Sequence, residues 1–135
     1  MNIVIIDGQG GQLGAQLVRE ISVKFPDARL TAIGTNVAAT SAMIKAGAKN
    51  AATGENAVVV ACRKADVVVG PVGIVIADSL LGEITPKMAV AVGQADAKRI
   101  LIPMDRCNNI VAGLGDCSVP ALIRDAVAKI GEIIG

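Results

Sequence analysis

The chain has 135 residues and a net charge of +1, with 53% apolar, 19% charged and 1% aromatic residues. That length can bury one continuous core without disulfide or metal staples, and the scattered lysines and arginines leave no basic footprint for nucleic acid. No histidine is present, which removes the commonest general acid–base and excludes Ser-His-Asp and Cys-His arrangements.

Cys62, Cys107 and Cys117 give an odd count without C-x-x-C spacing, so no metal site is expected and free thiols fit a reducing, cytoplasmic setting. The first apolar stretch is short and runs into Asp7, unlike a signal peptide. The longest apolar run, residues 67–77, contains glycine and proline and is too short to span a bilayer. No membrane partner is expected.

In chain order, Asn2–Ile6 reads as a buried strand. Leu13, Leu17, Val18 and Ile21 then recur at helical spacing until Phe25-Pro26 ends the helix. Arg29–Ile33 is a second strand, Asn36–Ala46 an alanine-rich helix closed by Gly47, and Lys49–Ala52 a short third strand. Glu55–Lys64 reads as a helix and Asp66–Val69 as an apolar strand bounded by Gly70-Pro71. Gly73–Leu81 is expected to form a very apolar helix. Thr85-Pro86 supplies an N-cap and N1 proline for a helix reaching Val92. Arg99–Ile102 is a strand, Asn109–Ala112 one more, and the last helix starts around Ser118.

Strands alternating with helices predict right-handed βαβ units around a parallel sheet. The fold class is therefore α/β, a single three-layer Rossmann-like domain of 5–6 strands. The expected strand order is 3-2-1-4-5, with a flavodoxin-like 2-1-3-4-5 as the rival.

Ligands in such sheets bind beyond the carboxyl ends of the strands. The expected loops there are DGQGGQ (Asp7–Gln12), GTN (Gly34–Asn36), TGEN (Thr53–Asn56), GPVG (Gly70–Gly73) and PMDRCNN (Pro103–Asn109). Gly8, Gly11 and Gly14 make a G-x-x-G-x-x-G pattern similar to the loops of extended short-chain dehydrogenases and related dinucleotide binders. Gly8, Gln9, Gly10, Gly11, Gln12 and Leu13 would cradle an anion at a helix start. The alternative is a tight strand-to-helix turn with glycines needed for packing. Thr35 and Asn36 would approach a ribose or cap the next helix, Thr53 and Asn56 would flank the same edge, and Gly70, Pro71 and Gly73 would line the switch point.

Two features depart from an ordinary NAD site. The acidic residue that holds the adenosine ribose at the end of the second strand is missing, its place taken by Thr35 and Asn36. Asp7 puts a carboxylate beside the place for a pyrophosphate. It either accepts a loop amide in an Asx-type turn, or binds a ligand hydroxyl or Mg²⁺. The weak catalytic candidates are Asp7, Glu83 and Lys87. The bland reading of Glu55 is a favourable helix-dipole contact. Cys107 lies on the ligand edge with no activating base beside it. An apolar helix over Val72–Leu81 would need cover on more than one side, which predicts a homo-oligomer, most simply a dimer.

The strings IDGQGGQLG, GTNVAATSAMIKAGA, ATGENA, DVVVGPVGI and LGEITPKMA together resemble a family of short bacterial proteins built on a domain of unknown function. The resemblance spans nearly the whole chain. It implies a stand-alone Rossmann-like domain in a bacterial cytoplasm and carries no established catalytic residue onto any position. The leading expectation is a module that binds a nucleotide or dinucleotide, NAD(P) first. One rival is a small oxidoreductase or transferase with its site completed at a dimer interface. The other is a structural assembly subunit whose glycine loop binds nothing.

Overall fold

The computed structural model describes residues 1–104 and 108–135. Its elements are β1 (Asn2–Asp7), α1 (Gln12–Lys24), β2 (Arg29–Gly34), α2 (Val37–Lys45), β3 (Asn50–Thr53), α3 (Glu55–Cys62), β4 (Val67–Pro71), α4 (Pro86–Gln94), β5 (Lys98–Ile102) and α5 (Val119–Ile134). The strands form one parallel sheet in the order β3-β2-β1-β4-β5, the first of the two expected orders.

β1 is central and its side chains alternate between two apolar layers. Ile3 and Ile5 join Leu17, Val18 and Ile21 of α1, Met43 of α2 and Ile123 and Ile130 of α5. Val4 and Ile6 join Val58 of α3 and Met88 and Val92 of α4. Parallel neighbours need crossover connections, and covering both sheet faces with helices explains why the central strands read as unbroken apolar runs. Each fully buried Ile or Leu stabilises this core by about 1.5–3 kcal/mol.

The helix ends follow local chemistry. Asn36, Thr85 and Ser118 each accept an amide of the helix they open, from Ala39, Met88 and Ala121. Pro86 sits in the first turn of α4, where its missing N–H costs nothing. α1 stops at Phe25, ahead of Pro26.

Two expected elements do not form. Residues 73–81 are not a helix: a single 3₁₀ turn, Val72–Val75, gives way to a run of tight turns. Four of the five residues in VGIVI are β-branched and stiff in a helix, and Asp78 and Ser79 follow with side chains that compete for backbone groups. Ser79 Oγ donates to the Gly73 carbonyl. Ile74 and Leu80 are buried in the α3–α4 layer of the chain itself, so the packing argument for a partner along Val72–Leu81 falls away. Leu81 is the large apolar residue of this segment left outside. Residues 109–112 are also not a strand but an exposed loop. Among the described residues β5 pairs with β4 alone, and the chain turns back over the sheet as α5.

Candidate functional site

β1 marks the switch point, with β2 on one side and β4 on the other. Its carboxyl end therefore brings three loops together: residues 8–11, the Thr35-Asn36 corner after β2, and the long connection from β4 to α4. Asp7 lies opposite Gly34 in the sheet register, and the Thr35 amide donates to the Asp7 carbonyl at 3.0 Å.

Asp7 is buried, and its side chain turns into the loop. Oδ1 accepts the Gly8 amide at 2.8 Å and Oδ2 accepts the Gly14 amide at 2.7 Å. Gly14 is the third residue of α1, so the carboxylate satisfies one of the free donors at the helix start and lies at the positive end of its dipole. The turn reading of Asp7 is the one the geometry matches, and the carboxylate serves the protein's own amides.

The three spaced glycines answer to packing. A Cβ at Gly11 would lie 2.7 Å from the Ala39 Cα of α2, and Gly11 has a left-handed φ of 73°. A Cβ at Gly14 would meet Met43 Sδ at 2.6 Å, and one at Gly8 would meet Thr35 Oγ1 at 2.6 Å and Glu83 Oε1 at 2.9 Å. Gly10 has open space around it and is exposed, as are Gln9 and Gln12. Among the described residues the amides of Gly10, Gln12 and Leu13 make no hydrogen bond.

Glu83 ties the three loops together. Its Oε1 accepts the Gln9 amide at 2.8 Å, the Thr35 hydroxyl at 2.6 Å and Asn36 Nδ2 at 2.8 Å. Asn36 also donates to the Gln9 carbonyl while it caps α2. Partial burial pushes the Glu83 carboxyl up, but the bonds from Thr35, Gln9 and Asn36 outweigh it and hold it below the ordinary glutamate value. The residue reaches this place from a segment in which Asp78, Leu80 and Leu81 all have left-handed backbone, followed by Gly82. Such conformations cost non-glycine residues of order 1–3 kcal/mol each and persist only where the surroundings fix them.

The other expected residues are dispersed. Thr53 pairs its hydroxyl with Thr40 of α2 at 2.6 Å. Asn56 is exposed in the first turn of α3, and Lys87 is exposed in the first turn of α4. Gly70 and Gly73 are buried, as is Pro71. A Cβ at Gly70 would strike the Ile6 carbonyl, so that glycine lets β4 lie against β1. Cys107 lies outside the described residues. Cys62 is buried and burial pushes its thiol up, while Cys117 is exposed. Cys62 thus lacks the setting of an activated nucleophile.

Glu83's partnership with the glycine loop was missed by sequence reasoning, since its partners lie 47 to 74 residues away. The signal available was the acid missing after β2. Further along the carboxyl edge, Pro103, Leu114, Asp116 and Leu122 border a cleft of about 390 Å³. A second cleft, of about 260 Å³, opens among Phe25, Arg29, Leu30 and Asn50 at the opposite, amino edge; the general placement of ligands in α/β sheets speaks against that side. No helix among the described residues is long and apolar enough to cross a membrane.

Among solved structures, the chain is similar to a dodecameric FMN-dependent Ubix-like decarboxylase from Escherichia coli O157:H7. The identity is 13% and the TM-score 0.46, over 100% of this chain and 94% of that one. No curated protein matches the sequence. The match to a known family is continuous from residue 2 to residue 135, and the chain belongs to that family, described as a domain of unknown function (DUF3842).

Proposed function

We propose that this chain is a binding module for a phosphorylated ligand of the nucleotide class, NAD(P) first, seated on the carboxyl edge at the switch point. The observation that carries the reading is the exposed start of α1, where the amides of Gly10, Gln12 and Leu13 have no partner among the described residues. Such amides at the positive end of a helix favour an anionic group. Gly8, Gly11 and Gly14 shape the loop that presents them, and Thr35 and Asn36 border it.

Binding is favoured over turnover because the acid–base candidates are committed or remote. Both oxygens of Asp7 accept amides, from Gly8 and Gly14, and Glu83 is anchored through Oε1 by three donors. The enzyme reading would need a group supplied by a second copy, and ligand-dependent turnover would reveal it.

Thermal melts against NAD⁺, NADP⁺, AMP and inorganic pyrophosphate test the proposal. A ligand at about 100 times its Kd stabilises by about 2.7 kcal/mol, several degrees for a chain of this size. No shift with any of them, and no nucleotide absorbance carried by a protein that lacks Trp and Tyr, would leave the purely structural reading of the loop.

Self-association has a separate support. All four residues of the edge strand β3 are exposed, and Val37, Ile44 and Val60 stand exposed on the helices that flank it. Sedimentation of the wild type against Ala51→Pro, which puts a proline into that edge, tests it; an unchanged oligomer would remove β3 from consideration.

A further inference from the structure

We infer that Glu83 is the acceptor for the vicinal hydroxyls of a ribose, supplied from the β4–α4 connection in place of the acid missing after β2. This rests on the nucleotide-binding reading above and narrows it to ligands with a free ribose diol.

The inference starts from how the carboxylate is used. All three of its bonds fall on Oε1, and Oε2 takes none among the described residues. No buried side-chain oxygen or nitrogen among them lacks a partner, so Oε2 reaches solvent. One oxygen is anchored and the other is presented as a strong, oriented acceptor beside Gly8 and Thr35 at the tip of β1 and β2. An anionic acceptor fixed at that corner suits a hydroxyl pair; it does not suit a second anion.

The segment that carries Glu83 has the build of a rigid mount. Leu80 and Ile84 anchor it on either side, both buried in the core. Across the segment, the Asp78 amide donates to the Ile84 carbonyl at 2.7 Å, the Ile84 amide to the Ser79 carbonyl at 3.2 Å and the Glu83 amide to the Leu80 carbonyl at 3.2 Å. Three left-handed non-glycine residues in four positions are held by that framework. Strain of this kind, spent on placing one carboxylate, fits a fixed acceptor better than a flap that swings away to admit a ligand.

A fixed carboxylate also sets a preference. At the adenosine ribose, the one the missing acid would hold, NAD⁺ offers a free 2′-hydroxyl, whereas the 2′-phosphate of NADP⁺ would face Glu83 and be repelled. Calorimetric titration of the full chain with NAD⁺ and NADP⁺ tests this in the wild type, in Glu83→Gln and in Thr35→Val. The wild type should bind NAD⁺ at least about 10-fold more tightly than NADP⁺. Glu83→Gln should weaken NAD⁺ by about 10-fold or more and narrow the gap, the size expected for a hydrogen bond to a charged acceptor. Thr35→Val removes one anchor of Oε1 and should shift the preference in the same direction, so the inference stays testable if Glu83→Gln fails to fold.

Equal affinity for the two dinucleotides, unchanged in both variants, would overturn the role of Glu83 and leave nucleotide binding standing. Tighter binding by Glu83→Gln would overturn it too, because the carboxylate would then be occupying the ligand's own anion place. If the wild type binds neither dinucleotide nor AMP, the nucleotide reading itself fails and takes this inference with it.

Discussion

Asp7→Asn probes the glycine loop most directly. Asp7 uses both oxygens as acceptors, at 2.8 Å to Gly8 and 2.7 Å to Gly14. Asparagine has one carbonyl oxygen and an NH₂ group, so it keeps one acceptor and turns a donor toward the other amide. Loss of a hydrogen bond to a charged group costs about 1.5–3 kcal/mol, and removing the negative charge from the start of α1 costs about 0.3–1 kcal/mol more. Asp7→Asn should therefore destabilise by roughly 2–4 kcal/mol. Asp7→Ala, which leaves two buried amides without an acceptor, should cost more still. With no Trp or Tyr in the chain, the assay is urea unfolding followed by far-ultraviolet circular dichroism. A drop of this size lowers Tm by about 10 °C in a domain of this length. If Asp7→Asn unfolds within about 0.5 kcal/mol of the wild type, a margin typical of an uninvolved surface site, the two amide bonds are not what Asp7 is for. A cation-binding role would then regain ground.

Gly11→Ala should destabilise by at least about 3 kcal/mol, since it combines a left-handed backbone with a Cβ 2.7 Å from the Ala39 Cα. Gly10→Ala, with nothing near its Cβ, should stay within about 0.5 kcal/mol in the same unfolding assay, and equal losses in both would refute the packing account of the loop. Leu81→Gly should stabilise by up to about 1 kcal/mol, because it relieves a φ of 56° at a residue 95% exposed; a lower urea midpoint would contradict the strain. Glu83 has a lowered folded-state value, so its contribution is present above the unfolded glutamate value of 4.5 and is lost as pH falls below it through the folded value. Unfolding midpoints for wild type and Glu83→Gln should converge in that acidic window, and a constant gap down through it would exclude the carboxylate as the source.

The alternation of strands and helices was legible because it rests on periodicity and on short connections, and the glycine loop after the first strand favoured the order that forms. VVV between Asp66 and Gly70 can be little else than a buried strand, and Thr85-Pro86 or Asn36 can cap a helix without help from the rest of the chain. Residues 72–81 defeated the same reasoning. Composition alone makes VGIVIADSLL a buried helix, but burial here comes from two anchors, Ile74 and Leu80, set in irregular backbone between them. Asn109–Ala112 has strand-like residues outside the five-stranded sheet, and pairing is a property of the sheet. The glycine pattern was visible while its cause was not. Ala39, Met43 and Thr35 demand Gly11, Gly14 and Gly8 through contacts that cross from one βα unit to the next. Glu83 stood among the catalytic candidates, but its tie to the loop was invisible for the same reason, at greater distance.

The central place of β1 has a consequence for how the chain is made. Of the five strands, the first to be synthesised is the one that both apolar layers need, yet one of its edges waits for Val67–Val69. Until then β1 can pair with β2 alone, with Val4 and Ile6 bare on the face that α3 and α4 later cover. Synthesis of the first half thus yields a half-sheet with an open apolar edge and face, an intermediate prone to stick to its neighbours on a polysome. The nascent chain should engage holdase chaperones most strongly before β4 emerges, and release them once residues 67–71 have closed the gap.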